Sequence, residues 1–228
     1  MVSKVTDLID TAINELRYIN HPFIREIAAT EIPAECYLAW AIQKYHQVFH
    51  SNRAFAAIAS NTDVLEARRY EIANLVAEET GYTSGSAAHY DLMMRFCRAL
   101  GASEEDVWNT PMGDPLKDYL SWVIPFCQTH SWQYGFSVYY ALESQTSESV
   151  AIMYRRLKGR FGLTEHDLEW FPVHTTDDVE HGRQRGEILN RYQSSDSLEV
   201  NQLVTAAVEA SKRWWKLHDF YFDILTDK

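Results

Sequence analysis

The chain has 228 residues, 46% of them hydrophobic, and 21 Lys and Arg against 32 Asp and Glu leave a net charge of −11 with His neutral. A chain of this length buries a sizeable core without disulfide or metal staples, so one domain over residues 1–228 is the expectation. The acidic balance repels phosphate backbones and anionic lipid surfaces, which excludes nucleic acid and membrane as partners and leaves a small-molecule substrate.

The opening MVSKVTDLID lacks the apolar core of a signal peptide, and no run approaches the ~18 apolar residues of a membrane span. With Cys36, Cys97 and Cys127 odd in number and free of CxxC spacing, the expected compartment is the reducing cytoplasm. Nine Gly and six Pro punctuate the chain, strand-like alternation is almost absent, and the reading is all-α. Ser3 or Thr6 caps a first helix reaching about Asn20, with Val5, Leu8, Ile9, Ala12, Ile13 and Leu16 on one face, and His21-Pro22 breaks it. A short segment, Phe23 to Thr30, precedes a long helix opened by Pro33 and ending near Asn61. Thr62 or Asp63 caps a third helix that stops at Gly81, a good left-handed terminator. The polar stretch TSGSAA is a loop, an amphipathic helix ends at Gly101, and SEEDVWN reads as an acidic turn. Pro125 should break the span from Asp114 to Gly159 into two helices. The helical pattern resumes from Thr164 to Tyr192, across Pro172, and a last helix runs from Leu198 to Leu225. That makes about seven long helices, as in a bundle.

The most informative run is HTTDDVEHGR. His174, Asp178 and His181 stand at i, i+4 and i+7, within about 60° of one another around a helix, so their side chains converge. Imidazole and carboxylate suit iron, manganese or zinc. The same spacing also describes a solvated polar face, and further donors are needed to choose. VAEETGY places Glu78 and Glu79 in the last turn of an apolar helix, with His89 across the loop. In SVYYALESQ, Glu143 lies among Val138, Tyr139, Ala141 and Leu142, where a carboxylate needs a metal or a buried Arg partner. Three carboxylates and three imidazoles on separate helices offset most of the charge of two divalent ions and leave open positions for dioxygen or substrate.

EETGY followed by His89 and Asp91-Leu92, the ESQ piece around Glu143, and HTTDDVEH together resemble the metal-binding helices of the haem-oxygenase-like di-metal oxidases. The CADD-like members are the nearest in likeness; pyrroloquinoline-quinone synthase and the TenA-like group are more distant. The resemblance runs from HPFIREI to HGRQRGE. It implies a seven-helix haem-oxygenase-like bundle without haem, two Fe(II) ions or a manganese and iron pair, O2 as co-substrate, and Glu78, His89, Glu143, His174, Asp178 and His181 as ligands, with Glu79 the alternative to Glu78. It also implies a homodimer, to which the aromatic-rich last helix (Trp214, Trp215, Phe220, Tyr221) would contribute if it is not core. Two departures stand out. Ile24 takes the place of the tyrosine that chlamydial members convert to p-aminobenzoate, and no Lys follows Glu143 before Lys158, so that self-consuming chemistry is not carried over.

His46 and His50 stand at i, i+4, a spacing that can clamp zinc, but without HExxH a pocket or core role is the expectation. Tyr45, His46 and Tyr139 are the candidate catalytic side chains of the cavity, Tyr140 lying beside them in sequence. Cys97 and Cys127 read as buried small hydrophobes. The leading function is a metal-dependent oxidase that uses O2 on a small organic metabolite. The alternatives are a metal-free enzyme of the quinone-synthase or TenA type, which leaves three carboxylates unexplained, and a non-catalytic interaction module.

Overall fold

A computed structural model describes residues 3–82 and 85–226, apart from the side chains of 176–179, and contains helices and turns with no strand among the described residues. In chain order the helices are α1 Val5–Ala12, α2 Pro22–Ala29, α3 Ala34–Ser60, α4 Leu65–Thr80, α5 His89–Ala99, α6 Glu104–Asn109, α7 Asp114–Thr129, α8 Trp132–Glu143, α9 Thr146–Leu157, α10 Trp170–Arg191 and α11 Ser197–Thr226. Helix α3 packs against α4, α5, α7, α8 and α11, and α10 lies across α4, α5, α8 and α9, so the long helices enclose one apolar interior. None of the described helices is long and apolar enough to cross a membrane.

Eleven described α-helices replace the expected seven, for local reasons. The first helix stops at Ala12 and continues as two 3-10 turns, Asn14–Leu16 and Tyr18–Asn20, between which the Tyr18 amide donates to the Gln145 side chain at 2.6 Å instead of to a helical carbonyl. Neither Ser3 nor Thr6 caps it; Lys4 is the N-cap. Thr62 accepts a turn hydrogen bond from the Val64 amide at 3.0 Å, and α4 starts after it. SEEDVWN forms helix α6, opened by a Ser103/Asp106 capping box rather than left as a turn. Pro125 does not break α7, since it lies on the exposed face near the helix end, where the carbonyl it frees meets water. The break falls at His130-Ser131, and a second one after Glu143 separates α8 from α9. Pro172 is tolerated because it sits in the first turn of α10, which begins at Trp170 rather than Thr164.

Candidate metal centre

Glu78 in the last turn of α4, His89 at the start of α5 and His174 on α10 offer ligand atoms that all lie within 4.8 Å of one another. Gly81 builds this meeting. It ends α4 at φ 63°, and a Cβ there would lie 2.4 Å from the Ala87 backbone, so only glycine lets the loop fold back and set His89 opposite Glu78. His89 Nδ1 lies 2.7 Å from Glu78 Oε2, and the His89 and His174 ring centroids are 4.5 Å apart. The Trp170 carbonyl, 2.8 Å from His174 Nδ1, can only accept, so Nδ1 carries the proton and Nε2 keeps its lone pair. Burial, with His89 beside it, lowers the His174 pKa to about 3. Burial alone would raise Glu78, but His89, His174 and His181 outweigh it and bring its pKa to about 2. The cluster is therefore an ionised carboxylate beside an imidazole kept neutral, the protonation states a cation needs.

Glu78 and His174 open on a cavity that Lys44, Asn52, Tyr139, Glu143, Trp170 and Trp214 also line. Glu143, at the end of α8, pairs there with Arg185 of α10, whose other arm reaches Glu71 of α4 at 3.2 Å. Arg185 and Glu71 are fully buried, and the guanidinium lies 5.3–5.7 Å from the ring centroids of Phe55, Tyr70, Phe136 and Tyr139. Burial raises Glu143 to about 7 and raises Glu71 as well, against the pull of Arg185 in both.

Of the six expected ligands, three converge. Glu143 shares the cavity but rests on Arg185, the alternative partner weighed for it from the sequence. His181, half-buried, is near enough to help lower the Glu78 pKa but is not part of that cluster, and Asp178 lies outside the described side chains. Glu79 is exposed and accepts from Asn52 Nδ2 at 3.1 Å, so Glu78 is the one of the two that faces His89 and His174. Tyr139 lines the cavity, whereas Tyr45 and His46 are not among its lining residues. Tyr45 stacks on Phe49, and His46 Nε2 meets the Val107 and Thr110 carbonyls, tying α6 to α3. His50 stacks on His46 and forms no metal cluster among the described residues. On α11, Trp214 lines the cavity and Tyr221 is buried core. The sequence reading did not pick out Glu71, Arg185 or Lys44.

This arrangement of helices defines a haem-oxygenase-like fold. A TenA homologue from Pseudomonas syringae superposes with a TM-score of 0.78 at 14% identity, covering 97% of this chain and 92% of that one. A CADD-like protein from Nostoc punctiforme superposes at 0.71 with 15% identity, covering 97% of each. Residues 11–217 match the TENA/THI-4/PQQC family, and the chain belongs to it. The chain is also 30% identical over 206 residues to a protein of Chlamydia muridarum named 4-aminobenzoate synthase, covering 89% of this chain and 86% of that one. A Nitrosomonas europaea protein of the same name is 22% identical over 92% of this chain and 88% of its own.

Proposed function

We propose that the chain is a metal-dependent oxidase that uses O2 to oxidise a small organic metabolite, with two divalent ions, Fe(II) or a manganese and iron pair, held by Glu78, His89, Glu143, His174, Asp178 and His181. The convergence of Glu78, His89 and His174 from three helices, beside a cavity that Glu78 and His174 line, carries this reading. Bonds of about 2.0–2.2 Å to one ion allow donor separations up to about 4.4 Å, and the three donors lie within 4.8 Å of one another. Such ions, when bound, supply the activation of O2 that no side chain provides.

The protein's own part is binding, orientation and exclusion of water. The Trp170 carbonyl holds the His174 tautomer with Nε2 available. Arg185 keeps the Glu143 carboxylate at the cavity wall. Val48, Phe55 and Leu142 make much of that wall apolar. Relatives named 4-aminobenzoate synthase support action on a small metabolite. Here position 24 is a buried isoleucine and Lys158 is held by Glu165 at the surface, so the proposed substrate is an added molecule and not the protein's own side chain.

Anaerobic Fe(II) titration followed by metal analysis tests the reading. The wild-type chain should bind two ions, and His174→Ala or His181→Ala should lose most metal and all O2 consumption while the helical spectrum persists. Full metal retention in both variants would refute it.

A further inference from the structure

Helix α4 has two different faces. Glu71, Asn74 and Glu78 are buried on the inner one. On the outer one Leu65, Ile72 and Val76 are 49%, 48% and 38% exposed, and Tyr82, just past the helix end, is 83% exposed. Steps of seven and four residues bring the first three within about 40° of one another, so they form one apolar stripe along the helix. Large apolar side chains aligned in this way mark a contact surface, whereas single scattered ones do not. The exposed face of α10, by contrast, ties Glu180, Arg183 and Glu187 into ion pairs of its own.

The charges beside the stripe indicate what covers it. Arg68, near the start of α4, and Glu79, near its end, are both exposed and stand on the same flank of the stripe. They are eleven residues apart, about 16 Å along the axis, too far to pair with each other. A second α4 laid antiparallel, with a two-fold axis between Ala73 and Asn74, brings like flanks together. It sets Arg68 against Glu79, Ile72 against Val76 and Leu65 against Tyr82, and the symmetry makes each pair twice. Arg69, exposed on the other flank, falls opposite the exposed Thr80, so no like charges meet. A parallel pair would instead bring the two arginine ends together. A lipid surface fits less well, because the net charge of −11 is repelled by anionic headgroups. The aromatic side chains of α11 are used within the chain: Trp214 lines the cavity, Trp215 lies 4.6 Å from the His21 ring, Phe220 packs on Gly113 and Tyr221 is fully buried.

We propose that the outer stripe of α4 is the interface between two copies of this chain, paired antiparallel, so that the helix presenting Glu78 to the cavity is braced from behind by its counterpart. The pairing does not depend on the oxidase reading.

Sedimentation velocity of the full chain at micromolar concentration should give twice the chain mass. Ile72→Glu places carboxylates in the middle of the stripe and should give the single-chain mass. Its far-ultraviolet circular dichroism should be unchanged, because position 72 is 48% exposed and belongs to no core. Arg68→Glu alone and Glu79→Arg alone each set like charges opposite one another at two places, and each should raise the dissociation constant at least about tenfold. The two changes together should return it to within about threefold of wild type. This charge cycle gives the reading should Ile72→Glu not fold. A monomeric wild type overturns the assignment and leaves the stripe to a different protein. A dimer that Ile72→Glu leaves intact places the interface elsewhere and overturns it equally, as does a double variant that associates no more tightly than the singles.

Discussion

Arg185→Met is the perturbation whose outcome the structure specifies most fully. The substitution keeps an apolar stem among Phe55, Tyr70, Phe136 and Tyr139 but removes the cation shared by Glu71, fully buried, and Glu143, 14% exposed. Removing one partner of a buried ion pair costs about 3–5 kcal/mol. At about 2–4 °C per kcal/mol for a chain of this size, the melting temperature of the metal-free protein should fall by about 6–20 °C.

The loss should depend on pH. Burial already raises Glu71 and Glu143 in the presence of Arg185, Glu143 to about 7, and without the guanidinium nothing opposes that rise. A carboxyl whose folded pKa is raised contributes its stability below its unfolded pKa and loses it as pH climbs through the folded value. The deficit of the variant should therefore be smaller at pH 5.5 than at pH 8. Differential scanning calorimetry of both proteins at the two pH values, with chelator present, measures it. Adding Mn(II) at pH 8 should then raise the melting temperature of the variant more than that of wild type, because the released Glu143 carboxylate gains another cation. A deficit below about 3 °C at pH 8, the equivalent of about 1 kcal/mol, or a deficit equal at both pH values, would refute the reasoning.

Glu143→Gln keeps the side-chain volume, leaves Arg185 paired with Glu71 and withdraws one negative charge from the proposed centre; at least one ion should bind much more weakly in calorimetric titration, with a stability loss of about 1–3 kcal/mol. A melting loss with metal content unchanged would make Glu143 a structural partner only. Gly135→Ala places a Cβ 2.4 Å from Ile58 Cγ1 where α8 crosses α3, and overpacking of that kind should cost about 1–3 kcal/mol in denaturant unfolding while leaving metal content intact; an unchanged midpoint would contradict the close packing of the two helices.

Local signals were legible in the sequence because they are local in space. Helices α3 and α11 lie within two residues of where apolar periodicity, Pro33 and the QSSDS stretch put them, and Gly81 is the left-handed stop its residue type foretold. Of the stripe expected through His174, Asp178 and His181, His174 joins the cluster, and the same spacing carried four residues past His181 reaches Arg185. Likewise Glu71 lies seven residues before Glu78 on the same face of α4. Those spacings were available as signals, but a helical repeat says only that side chains share a face, not which neighbour the face meets. Tertiary structure decided that Arg185 reaches Glu71 and Glu143, 114 and 42 residues away, that Lys44 lies between indoles from two other helices, and that Tyr45 and His46 turn away from the cavity toward Phe49 and α6. The rotation of each helix about its axis is set by how all its neighbours pack together, and a buried charge finds its partner only once those rotations are fixed.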